Sequence, residues 1–199
     1  MKTIFFSVAL LLSLAGCTSK TAVKPEEKTI QLDTGRIAFQ RLYVTARSWA
    51  ADAQPVGLQS QALPEATGHD GKAAVWRATF ASETRRRIKP YSWSGAVGKD
   101  EPAAGVTSEA DDSYTPTNVS THPFRVAFLK ADSDKAFDVA QQHGGKALIE
   151  KNPDLPVTYT LAWDAAQEQL QWHVRYGASE NGLQVVVDAA TGAFLRVQK

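Results

Sequence analysis

Two runs near the end of the chain decide the fold: Val157-Thr-Tyr-Thr-Leu-Ala-Trp163 and Leu170-Gln-Trp-His-Val-Arg-Tyr176. In each, every second residue is large and apolar, and the residues between are Thr, Ala, Gln, His or Arg. Side chains alternate between the two faces of a strand, so this period of two predicts a pair of amphipathic strands with one buried face. Downstream, Asn181-Gly182 favours a tight hairpin into a strand at Leu183–Asp188. Asp188-Ala-Ala-Thr-Gly192 reads as a turn closed by a left-handed glycine, before a last strand at Phe194–Val197. Upstream, Asp132 or Ser133 caps a helix that runs through Phe137 and Ala140 to a stop at Gly144-Gly145, and a short helical turn follows from Lys146 to Pro153. Phe124 to Leu129 reads as a further strand.

The first half follows a similar plan. A helix is expected from Asp33 or Thr34, because Ala38, Leu42, Thr45 and Trp49, with Phe39, Tyr43, Ala46 and Ala50 beside them, make one wide apolar face. Pro55 bars its continuation. Strand-like runs follow near 55–63, 73–81 and 86–94. Residues 95–123 read as a long acidic loop, with Asp100, Glu101, Glu109, Asp111 and Asp112 among glycines and prolines. Pro55-Val56 aligns with Pro156-Val157, Trp76 with Trp172 and Phe80 with Tyr176. The expected architecture is α+β: two similar units, 34–123 and 124–199, each a helix packed on a small antiparallel sheet.

A helix followed by antiparallel strands, closing on Val185-Val-Val-Asp188-Ala-Ala-Thr191-Gly192-Ala-Phe-Leu195, resembles the PepSY domain over 133–199 and more faintly over 34–94. The first half lacks the closing turn; Tyr91-Ser-Trp93-Ser-Gly95 stands in its place. The resemblance implies an envelope-facing module that binds, inhibits or tunes a partner such as a protease, and it supplies no catalytic residues.

The start of the chain gives an address. Lys2 precedes a 12-residue apolar run, Ile4 to Ala15, too short to span a bilayer as a stable helix, which ends in Leu14-Ala15-Gly16-Cys17. This resembles a bacterial lipobox, which implies that residues 1–16 are a signal peptide and that the Cys17 thiol forms a thioether to a lipid whose acyl chains, palmitate among them, anchor the protein in a membrane. Thr18 rather than aspartate after the cysteine implies the periplasmic side of the outer membrane, if the cell has one. Residues 17–33 read as a flexible tether.

Composition narrows the function classes. At 199 residues, 43% hydrophobic and 22% charged, the chain is neither wholly disordered, collagen-like nor a polytopic membrane protein. A net charge of +1 gives no field that would recruit nucleic acid. A lone cysteine, assigned to lipid, leaves no disulfide, no thiol nucleophile and no multi-cysteine metal site. The four histidines (His69, His122, His143 and His173) show no metal-ligand spacing, and there is no G-x-S-x-G and no phosphate-binding glycine loop. No cofactor, metal or catalytic residue is therefore expected. Glu109, Asp111 and Asp112 lack calcium-loop spacing and read as a solvated acidic loop.

The candidate partner-binding residues are Arg85, Arg87 and Lys89, which would share one face of a strand, and Trp93, the tryptophan expected to be exposed. The same basic run also suits an edge strand charged against unwanted pairing. The leading expectation is a lipid-anchored, non-catalytic envelope module that binds a protein or peptide. One alternative is an envelope hydrolase with a site between the halves, built from His122, His173 and Asp111, Asp112 or Asp188. The other is a structural lipoprotein that bridges envelope components.

Overall fold

The computed structural model describes residues 30–96, 103–118, 121–179 and 182–198. The signal run, Cys17 and tether residues 17–29 lie outside these, as does Asn181 of the expected hairpin. In chain order the elements are β1 (Asp33–Thr34), α1 (Gly35–Trp49), β2 (Gln54–Gln61), β3 (Lys72–Ala73), β4 (Val75–Ser82), β5 (Arg87–Ser94), β6 (Gly105–Ser108) and β7 (Asp112–Ser113). There follow α2 (Ser133–Ala140), α3 (Lys146–Lys151), β8 (Val157–Asp164), β9 (Gln169–Tyr176), β10 (Gln184–Asp188) and β11 (Phe194–Gln198).

The alternating runs form the hairpin β8–β9, with Leu161 opposite Trp172 and Tyr159 opposite Val174. This hairpin is part of a larger antiparallel sheet in the order β11-β10-β9-β8-β2-β4-β5-β6, and β7 pairs further along β5. The joint is β2 against β8: Gly57 faces Ala162, Leu58 faces Leu161 and Gln59 faces Thr160. Instead of two small sheets there is one continuous sheet, because each set of strands offers an edge that the other satisfies.

Helices α1 and α2 pack on the same face. Ala38, Phe39, Leu42 and Ala46 of α1 join Ala136, Val139 and Ala140 of α2 in one cluster with Trp76, Phe80, Trp172 and Val174. At its centre Trp76 and Trp172, both fully buried, meet edge to face with centroids 6.3 Å apart. Trp76 Nε1–H donates to the Asp33 carbonyl at 2.9 Å, and Trp172 Nε1–H to the Ala131 carbonyl at 3.0 Å. Each indole therefore holds a carbonyl two residues before a helix begins, which satisfies a polar group that burial would otherwise penalise.

The helix starts share a cap. Asp132 Oδ1 accepts from the Ser133 amide at 2.7 Å and, across the molecule, from the Arg36 amide at 2.8 Å. Asp132 Oδ2 accepts from the Thr34 hydroxyl at 2.7 Å. Ser133 Oγ accepts from the Gly35 amide and donates to the Gly71 carbonyl. Two sets of orphan N–H groups are thus closed by neighbouring side chains.

Three of the segment expectations need correction. Residues 30–33 are not tether: Gln31 N–H donates to the Gly95 carbonyl, Asp33–Thr34 pairs with Lys72–Ala73, and Ile30 packs on Ala66, Ala74 and Ala96. Phe124–Leu129 is not a strand. Both edges of β2 are already taken, and the segment crosses the helix face as a 3-10 turn at Val126–Phe128, with Phe124 against Phe39 and Phe128 against Trp163. The 95–123 stretch is not all loop, since β6 and β7 pair with β5 within it; residues 97–102 and 119–120 lie outside the described residues. The stop at Gly144-Gly145 is where it was expected: after α2 the chain makes a π-type turn, with Gly144 at φ 107°, and α3 follows from Lys146. The Asp188 turn has the expected form: Asp188 Oδ1 accepts from the Ala190 and Thr191 amides, and Gly192 sits at φ 75°.

Candidate functional site: the open face of the sheet

The helices cover one side of the sheet. Alternation sends the intervening residues of each strand to the other side, where no described helix packs. Over the β2–β4 pair lies a depression of about 400 Å³ lined by Gln59, Ser60, Gln61, Val75, Arg77, Ser92 and Glu109. It continues into a smaller hollow of about 150 Å³ above the β2–β8 joint. The floor there is low because Gly57 has no side chain and Ala162, its register partner, has one methyl. Thr79 and Thr160 flank it with hydroxyls. Arg77 Nη2 donates to Glu109 Oε2 at 2.7 Å, so the segment after β6 supplies one wall as an ion pair. The trough offers amides and hydroxyls that both donate and accept hydrogen bonds, with one charge of each sign. That chemistry suits the backbone and polar side chains of an extended chain lying across strands.

Toward β11 the same face carries a connected polar network. Gln184 uses its whole amide: Oε1 accepts from Arg175 Nε at 3.1 Å and Nη2 at 2.8 Å, while Nε2 donates to His173 Nδ1 and to Gln198 Oε1. Arg196 Nη2 lies 3.4 Å from Asp164 Oδ2 and donates to Gln171 Oε1 at 3.1 Å. Gln171 is fully buried beneath this layer, and its Nε2 finds no acceptor among the described residues. Burial, and the positive charge of Arg196 and Arg175, hold the His173 imidazole below its ordinary pKa, with Asp164 and a bond to Gln198 acting the other way. His173 is therefore neutral at pH 7, with Nδ1 as an acceptor.

Of the candidate partner-binding residues, Arg87 and Lys89 share one face of β5, the side that Tyr91 and Trp93 also take, whereas Arg85 leaves the strand. Arg85 lies in the turn between β4 and β5, not on the strand, and its guanidinium rests over the Trp49 ring at 5.7 Å. Arg87 is exposed at the start of β5, and Lys89 lies over the Tyr91 ring at 5.8 Å. Asp52 ties this turn down: it accepts from the Ser82 hydroxyl at 2.7 Å and the Thr84 amide at 2.9 Å, and these bonds lower its pKa to about 2. Trp93 is not exposed. It faces the helix side opposite Trp76, is 3% exposed, and has Arg41 over its ring. The parity of β5 that buries Tyr91 buries Trp93 too.

The residues of the alternative hydrolase site do not converge. His173 is on β9 and Asp112 on β7, with β8, β2, β4 and β5 between, so about 24 Å of sheet at ~4.8 Å per strand separates them. Asp111 precedes β7 at the same edge. The Asp188 carboxylate is held by its own turn and by Gln169 Nε2 at 3.4 Å. His122 stands just before Phe124, whose amide donates to the Pro55 carbonyl. His69 Nε2 meets the Leu155 carbonyl at 3.0 Å, and His143 stacks on Phe194. Among the described residues, no group of three His, Cys, Asp or Glu side chains could hold a metal ion.

Sequence reasoning passed over Gln59, Arg77 and Thr160, since polar positions in an alternating strand read as plain solvent face. Gly57 and Ala162 carried a signal: small residues on the outer face of two strands leave room above them.

No family model matches the chain, and no curated protein matches it. Among solved structures, it is similar to a protein of Clostridium difficile 630 described as a "putative lipoprotein", at a TM-score of 0.52 and 12% identity. That likeness covers 87% of this chain and 99% of the other, and at this identity it speaks for the fold.

Proposed function

We propose that this chain is a lipid-anchored, non-catalytic module of the cell envelope, built of two PepSY-like units, that binds an extended protein or peptide segment on the open face of its sheet. The observation that carries the reading is the one-sided sheet, with the described helices on one face and a polar trough crossing the β2–β8 joint on the other.

The anchor rests on Leu14-Ala15-Gly16-Cys17. It gains support from the description of the C. difficile structure as a lipoprotein of like fold. Placement at the periplasmic side of an outer membrane rests on Thr18 alone. The two-unit reading is supported by strand order. From the joint outward, β2-β4-β5-β6 and β8-β9-β10-β11 run in the same sequence order, each set preceded by a helix. Phe80 faces Pro55 as Tyr176 faces Val157, and each buried indole holds the carbonyl two residues ahead of its helix.

The test is capture of envelope proteins by the acylated protein and by Thr160→Arg, which fills the hollow from an outward position. The variant should melt as wild type does and lose most of its capture. Unchanged capture by a variant that folds normally would remove the trough from the reading. Loss of fatty-acid label in Cys17→Ser is the accompanying check on the anchor.

A further inference from the structure

Helix α1 contains no acidic residue. Its exposed stripe carries Arg36, Ile37, Arg41, Val44 and Arg47. Ile37 is 45% exposed and Val44 69%, more than any other large apolar residue described. A solvated helix face ordinarily mixes both signs of charge and spares apolar residues this exposure. Just past the helix, Arg85 over the Trp49 ring brings the β4–β5 turn, with Arg86 and Arg87 exposed, to the same end. Asp132 and Asp33 lie within ion-pair distance of Arg36 and Arg41. The guanidinium groups of Arg47, Arg86 and Arg87 have no carboxylate partner among the described residues.

We propose that this face lies against the membrane that holds the acyl anchor, with Arg47, Arg86 and Arg87 on anionic lipid headgroups and Ile37 and Val44 entering the headgroup boundary. The proposal rests on the lipid-anchor reading above. Basic side chains around exposed aliphatic ones are the composition that an anionic, interfacial surface selects. Chain length agrees: Ile30 is thirteen residues beyond Cys17, so at most about 3.5 Å per residue keeps it within about 45 Å of the leaflet. Of the described helices, α1 is the nearest to the anchor along the chain. The helices of the second half carry Asp134, Asp138 and Glu150 among their lysines and lack this bias. Tethering keeps the headgroups at high effective concentration, so a weak patch suffices. Since α1 covers one face of the sheet, docking through it turns the trough away from the bilayer, toward partners in the envelope.

The test uses the full acylated protein in vesicles. An environment-sensitive label is placed through Val44→Cys in one sample and Gln59→Cys in another; the Cys17 thiol is consumed by acylation. The vesicles are zwitterionic phosphatidylcholine, or phosphatidylcholine with phosphatidylglycerol, each with a trace of headgroup-nitroxide lipid. In anionic vesicles the label at position 44 should be quenched at least about twofold more than the label at 59, and the excess should vanish in zwitterionic ones. Arg47→Gln with Arg86→Gln and Arg87→Gln should abolish the excess at unchanged melting temperature. Raising salt from about 0.1 M to 1 M should do the same, as the Debye length falls from ~10 to ~3 Å. Equal quenching at 44 and 59 in anionic vesicles overturns the docking. Flotation is read first: protein that does not float with vesicles overturns the anchor reading and the docking with it, whereas floating protein without excess quenching overturns the docking alone.

Discussion

At Gly35 an added Cβ would stand 2.6 Å from Cη2 of Trp172, 3.1 Å from Cη2 of Trp76 and 3.3 Å from Ser133 Oγ. The start of α1 therefore approaches both buried indoles only because this residue has no side chain. Gly35→Ala should cost about 1–3 kcal/mol by overpacking. Trp172→Ala should cost about 3–5 kcal/mol through the cavity it leaves. Urea denaturation of both variants checks this, and a neutral Gly35→Ala would mean that the rings do not seat there. His173 gives a pH signature. Its imidazole is held below its ordinary pKa in the fold, so on acidification the unfolded chain takes up the proton first. The stability this contributes is present above the unfolded value near 6.5 and is lost as pH falls below it. The melting temperature should drop between about pH 7.5 and pH 5. His173→Gln should flatten part of that drop; an identical slope in the variant would contradict the partly buried, neutral assignment.

Among the elements, α1, β8 and β9 were legible because one face of each is uniformly apolar and the period is unambiguous. Phe124, Val126 and Phe128 imitate that period. They fail to make a strand because β2 already pairs on both sides, which no local pattern reveals. The basic run of β5 was read on the wrong footing for a like reason: parity within the strand was clear, but which parity faces α1 was not. Asp132 was legible as the cap of its own helix and illegible as the cap of α1, 96 residues earlier in the chain from its bond to Arg36. Asp132→Ala should therefore cost more than one helix cap, about 1–4 kcal/mol at ~0.5–2 kcal/mol per cap. The Arg36 and Ser133 amides should then exchange faster together, while Asp134→Ala, an exposed neighbour, leaves them unchanged. Acceleration at Ser133 alone would show that the shared cap does not hold α1.

For the whole molecule, the sheet's asymmetry ties the parts together. One contiguous cluster holds α1 and α2 against strands from both halves of the chain, so the halves are energetically joined. The opposite face stays polar. It is shallow at the joint, where Gly57 meets Ala162, and saturated with internal hydrogen bonds toward β11, where Gln184 spends its whole amide. Among the described residues, Gln59, Gln61 and Thr160 keep side-chain donors and acceptors unspent, unlike that network. The most direct measurement is photo-crosslinking in living cells, with a photoreactive residue at position 59 on the open face or at position 142, exposed in the turn between α2 and α3. A discrete adduct should form from 59 and none from 142. Adducts from 142 with none from 59 would contradict it.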